Sequence, residues 1–117
     1  MKRDFDLIRE LLLDIEENIG PVNEGYEPNV EGYSEELIYG HLILLAEAGF
    51  ITGANIEIHG GGVYIAHSMT YSGFDFLDKI RDTTMWAKIK AFVKSKGAPL
   101  VVDTIKMASV EIIKNLI

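Results

Sequence analysis

Hydrophobic positions in the first twenty residues recur at the spacing of a helix. One face of this segment is apolar and consists of Leu7, Ile8, Leu11, Leu12 and Ile15. Asp4 or Asp6 precedes it as an N-terminal cap, and Asn18, Gly20 and Pro21 mark its end. The pattern predicts a first helix and then a loop over residues 19–33, with a short strand near Tyr26 or Val30.

A second amphipathic segment begins at Ser34, whose hydroxyl can cap a helix. Two glutamates follow it, at the positive end of the helix dipole. The predicted core face of this helix consists of Leu37, Ile38, His41, Leu42, Leu44, Leu45 and Ala48. Gly49 is a natural C-terminal cap, so the helix is predicted to end at Ala48.

A β-hairpin is predicted after this helix. Residues 50–52 are predicted to be extended, and residues 55–58 and 63–67 to form strands. The tip between them consists of His59, Gly60, Gly61 and Gly62. Phosphate-binding glycine loops lead from a strand into a helix and usually have a lysine nearby, so a flexible wing tip is the favoured interpretation.

Three further helices are predicted in the remainder of the chain. Thr70 can cap the first, which has Phe74, Leu77 and Ile80 on one face. Asp82, Thr83 or Thr84 begins the second, which Gly97 ends. Pro99 suits the first turn of the last helix, which is predicted to run toward Ile117.

This order of elements predicts an α+β, mainly helical fold: a winged helix followed by C-terminal helices. Residues 1–82 would form the winged-helix core, and residues 83–117 a helical extension packed on it, within one domain overall. A separate second helix of a helix-turn-helix is not evident before Ser34. It is either degenerate or contained within the loop.

Charge is distributed unevenly along the chain. Residues 10–78 contain thirteen Asp or Glu residues and neither Lys nor Arg. Residues 1–69 carry a net charge of −10 and residues 70–117 a net charge of +3. DNA binding draws much of its free energy from Lys and Arg side chains that release counterions, so the segments that would touch DNA in a winged helix are unsuited to it.

Composition indicates a compartment and excludes some chemistry. The sequence has no cysteine, so it offers neither disulfides nor thiolate metal sites. The N-terminus turns acidic at once, unlike a signal peptide, and no apolar run approaches the ~18 residues of a membrane span. A cytoplasmic protein without membrane association is expected.

The chain resembles the YjcQ-like family of small bacterial and prophage proteins, a winged-helix group without an assigned activity. The matching residues are Met1 to Asp4, Asp6 to Arg9, Glu16, Glu17, Tyr33, His41, Leu42, Leu44, Leu45, Glu47 to Gly49, Thr70, Gly73, Phe76 to Asp78, Ile80 to Asp82 and Trp86. Tyr71 stands where that family commonly has Trp, and Phe74 where it commonly has His. The resemblance implies a winged-helix shape and a prophage origin, and it supplies no catalytic residues.

The outward face of the second helix is the main functional candidate. At 100° per residue, its side chains facing away from the core include Glu35, Glu36, Tyr39, Ile43 and Glu47. A DNA-reading helix would present Arg, Lys, Asn or Gln here, whereas these carboxylates repel a duplex. Tyr39 and Ile43 would instead contact a protein, or they would pack beneath the loop of residues 19–33.

Metal binding and catalysis are disfavoured. His41 lies on the apolar helix face, where a hydrogen-bonded core histidine is expected. His59 and His67 could approach each other near the hairpin, but two imidazoles do not complete a zinc site. No serine lies in a recognisable nucleophile motif. We therefore expect no catalytic residues, no metal and no cofactor.

The C-terminal helices suggest self-association. Lys88, Lys90, Lys94 and Lys96 form a basic cluster that is either a solvated face or a complement to the acidic half of the same chain or a second copy. The last helix is apolar over much of its circumference, which favours a homodimer over burial within one chain. The predicted dimer interface consists of Val101, Ile105, Ile112, Ile113 and Leu116.

These observations predict a non-enzymatic winged-helix interaction module, for which a regulatory, prophage-related role is one hypothesis. The partner would be a protein with a basic surface or a second copy of the chain, bound through the acidic helix face with the wing tip beside it. The alternative is a DNA-binding transcriptional regulator of winged-helix type. Its phosphate contacts would come from Lys2, Arg3 and Arg9, or from the lysines of residues 88–96.

Overall fold

A computed structural model describes residues 1–21 and 24–116 of the chain. These residues form five α-helices and one two-stranded antiparallel sheet, which confirms the α+β, mainly helical prediction. The elements are α1 (Phe5–Asn18), α2 (Glu35–Glu47), β1 (Ile51–Ile58), β2 (Gly61–Met69), α3 (Tyr71–Ile80), α4 (Thr83–Ser95) and α5 (Val102–Lys114). Part of the predicted loop, residues 22 and 23, and the predicted helix end at residue 117 lie outside the described residues.

The chain divides into two compact units at a point within α3. The first unit runs from Met1 to Asp75 and the second begins at Phe76. In the first, α1, α2 and the hairpin of β1 and β2 pack together. In the second, α4 packs against α5.

Helix α1 begins where a side chain caps its free backbone amides. Asp4 Oδ1 accepts hydrogen bonds from the backbone nitrogens of Asp6 (3.0 Å) and Leu7 (3.2 Å), so Asp4 rather than Asp6 is the cap. The predicted apolar face is buried throughout. Burying side chains of this size contributes about 1.5–3 kcal/mol each, which fixes the face that α1 turns inward.

Helix α2 begins and ends close to the predicted residues. Ser34 Oγ accepts a hydrogen bond from the backbone nitrogen of Leu37 at 3.2 Å. Gly49 adopts a φ of 78°, which glycine tolerates best. The core face is narrower than predicted and consists of Ile38, His41, Leu42 and Leu45. The prediction was wrong for Leu37 and Ala48, which are exposed, because they lie at the edges of the apolar arc.

His41 joins the two helices of the first unit. It is fully buried, its Nδ1 lies 2.8 Å from the carbonyl oxygen of Leu37, and its Nε2 accepts a hydrogen bond from the backbone nitrogen of Asp4 at 2.9 Å. Because Nε2 accepts, the ring is neutral with its proton on Nδ1, which donates to Leu37. The predicted hydrogen-bonded core histidine is confirmed.

The hairpin is longer than the predicted strands and its turn is shorter. The register runs from Ile51 opposite Met69 to Ile58 opposite Gly61, with a bulge between Thr52 and Gly53. Gly61 and Gly62 therefore belong to β2, and only His59 and Gly60 form the turn. The predicted short strand near Tyr26 appears as an isolated antiparallel bridge from Tyr26 to Ala66, on the side of β2 away from β1.

The C-terminal helices follow the predicted stop and start residues with two corrections. Asp82 caps α4 by accepting a hydrogen bond from the backbone nitrogen of Met85 at 2.8 Å, and Gly97 follows α4 with a φ of 67°. Pro99 lies before α5 rather than in its first turn, because α5 begins at Val102. Phe74 is 42% exposed, whereas Phe76, absent from the predicted apolar face of α3, is buried.

Candidate functional site

The hairpin holds Tyr39 of α2 in place. Its hydroxyl donates a 2.7 Å hydrogen bond to Asn55 Oδ1 on β1. Its ring lies against Gly62 on β2, where a Cβ atom would be 2.5 Å from the ring. Tyr39 is consequently half-buried rather than the exposed centre of a helix face.

A cleft opens beside Tyr39 in the first unit. Its volume is about 320 Å³, near the lower end for small-ligand pockets. Residues from three segments line it: Glu27, Pro28 and Asn29; Glu35, Ile38, Tyr39 and Leu42; and Gly62, Val63 and Tyr64. The floor is apolar, since Ile38, Leu42 and Tyr64 are buried, while Glu27, Asn29 and Glu35 are exposed. The cleft therefore combines an apolar floor with two carboxylates and has no basic lining residue.

Asp14 on α1 fixes the segment that forms one wall of the cleft. Its Oδ2 accepts hydrogen bonds from the hydroxyl of Tyr26 (2.7 Å) and the backbone nitrogen of Asn29 (3.2 Å). Tyr26 also exchanges two backbone hydrogen bonds with Ala66 of β2, at 2.8 and 2.7 Å. Residues 26–29 are thus attached to both α1 and the sheet, so one wall is built from a loop with fixed ends.

The surroundings of Tyr26 favour its neutral form. Burial is the largest cause, followed by the hydrogen bond to Asp14 and the negative charges of Asp14 and Glu17, and together they raise the pKa of Tyr26 to about 12. Burial also raises the pKa of Tyr64 on the cleft floor. Both phenols therefore remain protonated donors at neutral pH.

The structure brings together only part of the predicted partner-binding set. Glu35 and Tyr39 line the cleft with Gly62 of the predicted wing tip. Glu36 and Glu47 are exposed and Ile43 is half-buried, further round α2 and outside the cleft lining. His59 and Gly60 lie in the exposed turn. A binding role for these residues stays a prediction.

Several cleft residues were not singled out from the sequence. Glu27, Pro28 and Asn29 lie in a segment interpreted only as loop, and Tyr64 only as strand. The available signal was the high density of Pro, Gly and carboxylate residues beside a possible strand. It could not show which helix the segment packs against.

A second groove of about 370 Å³ in the first unit was also missed. Its described lining consists of Ile15, Glu16, Ile19, Gly20, Pro21, Ser68, Met69 and Phe74. This lining is mainly apolar, and Phe74 is partly exposed within it. It offers no charged pair comparable to Glu27 and Glu35.

The histidines do not converge. His59 lies in the turn and His67 near the far end of β2, so roughly 20 Å of strand separates them at about 3.3 Å per residue. The expectation that they could approach each other was wrong. Across residues 1–21 and 24–116, no group of three or more His, Asp or Glu side chains could hold a metal ion.

The predicted dimer residues differ in exposure. Ile105 is fully buried within its own chain, so its assignment to a dimer interface was wrong: it lies on the core side of α5. Val101 and Ile112 are half-buried. Ile113 and Leu116 are 47% and 67% exposed, and Met107 and Val110, which lie outside the predicted interface set, are 68% and 48% exposed.

Two lysines of the basic cluster lie beside aromatic rings. Lys90 Nζ is 5.3 Å from the centroid of Trp86, and Lys96 Nζ is 5.4 Å from that of Phe92. Lys88, Lys94 and Lys96 are exposed. The cluster is therefore a charged surface in which Lys90 and Lys96 each lie beside an aromatic ring.

The fold and the cleft define a small α+β protein, and none of the helices in the described part of the chain is long and apolar enough to span a bilayer. Residues 2–99 match the family described as hypothetical protein DUF2513, and the chain belongs to that family. It is 33% identical over 117 residues to an uncharacterized protein of Haemophilus influenzae, covering 100% of this chain and 99% of the relative. No solved structure matches the chain.

Proposed function

We propose that this chain is a non-enzymatic interaction module of winged-helix type that binds a protein partner through the acidic cleft. The resemblance to YjcQ-like proteins and a regulatory, prophage-related role belong to the same proposal. The order α1, α2, hairpin supports the winged-helix part of the proposal. The described residues between α1 and α2, 19–21 and 24–34, contain no further helix.

The observation that carries this proposal is the cleft between Glu27, Glu35 and Tyr39. A lysine or arginine side chain of a partner would place its aliphatic stem on Ile38 and Leu42 and its charge beside the carboxylates. An arginine is favoured, because a guanidinium donates to carboxylates in a fixed fork and stacks on a tyrosine ring. The lack of Lys and Arg between residues 10 and 78 leaves that charge to be supplied by the partner.

Titration with short peptides tests this proposal. We expect a fluorescent Arg-containing peptide to bind in an anisotropy titration, its Lys counterpart to bind more weakly, and its Glu counterpart not to bind. Glu27→Gln and Glu35→Gln should each weaken binding by about tenfold, as loss of a charge-assisted hydrogen bond implies. Equal affinity for the Arg and Glu peptides would refute the proposal.

Two controls separate the cleft from the general acidity of the chain. Glu17→Gln removes one charge from α1 outside the cleft lining, and Glu47→Gln removes one from the far end of α2. Both should leave the affinity nearly unchanged if the cleft is the site. If Glu47→Gln weakens binding as much as Glu35→Gln, the whole α2 face is involved, as the sequence predicted.

The DNA-binding alternative rests on the positive charge of the second unit. From residue 76 onward the chain has eight basic and four acidic residues, with Lys88 and Lys94 exposed on α4 and Lys96 exposed directly after it. An electrophoretic shift with random and genomic duplexes at about 50 mM salt distinguishes the alternatives. Tight binding with a steep salt dependence would favour DNA over a protein partner.

A further inference from the structure

Strand β2 has one edge that β1 does not cover. The isolated bridge lies on this edge, where the backbone nitrogen and carbonyl oxygen of Ala66 both bond to Tyr26, at 2.7 and 2.8 Å. Backbone groups of alternate residues in an antiparallel strand point to opposite edges. Those of Tyr64 and Gly62 therefore point to the same edge as those of Ala66, whereas Val63 between them turns its groups toward β1.

The hairpin turn gives the same assignment. A two-residue turn is closed by a hydrogen-bonded pair, which here is Ile58 and Gly61. The register is regular from Gly61 to Ala66. Counting along β2 from Gly61, the odd-numbered residues bond to β1 and the even-numbered residues turn their backbone groups away from it.

The backbone of Tyr64 and Gly62 has no partner on this edge. Among residues 1–21 and 24–116, no main-chain or side-chain group bonds to either residue there, and both residues line the acidic cleft. Tyr64 is only 4% exposed. Buried backbone N–H and C=O groups are nearly always paired, so this stretch of edge is suited to a backbone partner.

Pro28 explains why the chain itself does not pair at this point. In the register of the isolated bridge, residue 28 would lie opposite Tyr64. Proline has no N–H to donate, so it ends the pairing. The next backbone nitrogen, that of Asn29, donates instead to Asp14 on α1 at 3.2 Å. The chain therefore leaves β2 at the level of Tyr64, and the acidic cleft opens between the two segments.

We propose that the acidic cleft binds a short extended segment of the protein partner, which adds a strand antiparallel to β2 through Tyr64 and Gly62. This proposal rests on the proposed function and specifies how the peptide is held. In antiparallel pairing a single residue of the segment bonds both backbone groups of Tyr64, and the residue two positions later bonds those of Gly62. Because Tyr26 occupies the edge at Ala66, the segment extends from Tyr64 toward the hairpin turn.

The pairing also places the arginine of the partner. Residues directly opposite each other share a face of the sheet. The face of Tyr64 and Gly62 is the one turned to α2, since a Cβ atom at Gly62 would meet the ring of Tyr39. The residue opposite Tyr64 thus directs its side chain over the apolar floor of the cleft toward Glu27 and Glu35, so we assign the arginine to that position.

Peptides in which one amide is replaced by an ester test the pairing, because each ester removes one backbone N–H without adding bulk. The parent probe is acetyl-Ala-Arg-Ala-Val-Ala with a C-terminal fluorophore, titrated by anisotropy with the whole chain. Its arginine is expected opposite Tyr64 and its valine opposite Gly62, so an ester at either should weaken binding about tenfold. An ester at the alanine between them, whose N–H points away from β2, is the matched control and should change the affinity less than about threefold.

Amide hydrogen exchange, followed by NMR, gives a second measurement on the protein itself. At a saturating concentration of the parent peptide, the N–H groups of Tyr64 and Gly62 should exchange at least about tenfold more slowly. The N–H of Val63 is already turned to β1, so its exchange rate should not change.

The outcomes separate strand addition from the proposed function. If the parent peptide binds and requires Glu35, but all three esters weaken it equally and Tyr64 and Gly62 gain no protection, the cleft recognises the arginine side chain alone and strand addition is wrong. If the ester at the middle alanine is the damaging one, the segment runs parallel to β2, which overturns the antiparallel assignment. If no arginine peptide binds, the proposed function fails and strand addition fails with it.

Discussion

Substitution of His41 tests the link between α1 and α2. His41→Gln retains an acceptor near the position of Nε2, so the backbone N–H of Asp4 keeps a partner. His41→Asn retains a donor near Nδ1 but loses that acceptor. His41 is fully buried and Asp4 is half-buried, so an N–H group that loses this acceptor loses it on the buried side of the cap, where replacement by water is costly.

The two lost hydrogen bonds have different costs. The Leu37 carbonyl lies within α2 and also accepts the helical bond from residue 41, so loss of the ring donor leaves it bonded. The Asp4 N–H lies at the cap of α1, and its bond to Nε2 is the one that His41→Asn removes. We expect a cost of about 1 kcal/mol for His41→Gln and about 2–4 kcal/mol for His41→Asn, the latter including a small cavity.

Urea unfolding at 25 °C, followed by circular dichroism, measures both costs. The same pair of substitutions at His67, which is exposed on β2, should change the free energy of unfolding by less than about 0.5 kcal/mol. The slope with urea should match wild type in all four variants. If His41→Gln proves as destabilising as His41→Asn, the Nε2 acceptor is not what joins the helices.

Three further predictions follow from the first unit. Asp14→Asn replaces a carboxylate that accepts from Tyr26, Asn29 and Asn18 with a neutral amide that has one oxygen for these three donors, and should lower the free energy of urea unfolding by about 1–2 kcal/mol and weaken peptide binding at the cleft. The raised pKa of Tyr26 contributes stability that is present below pH 10 and is lost as pH rises to about 12, because the tyrosine of the unfolded chain gives up its proton first. Tyr26→Phe should therefore flatten the plot of unfolding free energy against pH over this range. If the plots of the variant and the wild type run parallel, the prediction is wrong. Gly73→Ala would place a Cβ atom against the backbone oxygen of Phe50 and should cost about 3 kcal/mol in the same assay, whereas Gly61→Ala, with nothing within 4 Å and an ordinary φ, should cost less than about 0.5 kcal/mol.

Local signals in the sequence located most helix ends and much of the core. Ser34, Gly49, Asp82 and Gly97 act through hydrogen bonds or φ angles within a few residues, so their effect can be read from the chain alone. All five predicted residues of the apolar face of α1 are buried, because one periodic stripe leaves a single way to bury it, but Phe5 at the start of the helix is buried as well and was not predicted.

Features that depend on distant contacts could not be derived. The cleft arises because Asp14 and Ala66 hold residues 26–29 over α2, and neither partner is near them in sequence. The alternation of residues 55–58 shows that Ile56 and Ile58 share a face, but not that this face points away from α2. Ile105 was misassigned because an apolar helix does not reveal which of its sides its own chain covers.

The hydrogen bond between Asp4 and His41 also bears on how the chain folds during its synthesis on the ribosome. The two partners are 37 residues apart, and at about 5–20 residues per second α1 emerges roughly two to seven seconds before the residue that receives its first free amide. The inner partners of its leucines on β2 arrive later still. During that interval the apolar face of α1 lacks its native cover, so the nascent segment keeps an unburied hydrophobic stripe until residue 41 and the hairpin have been synthesised.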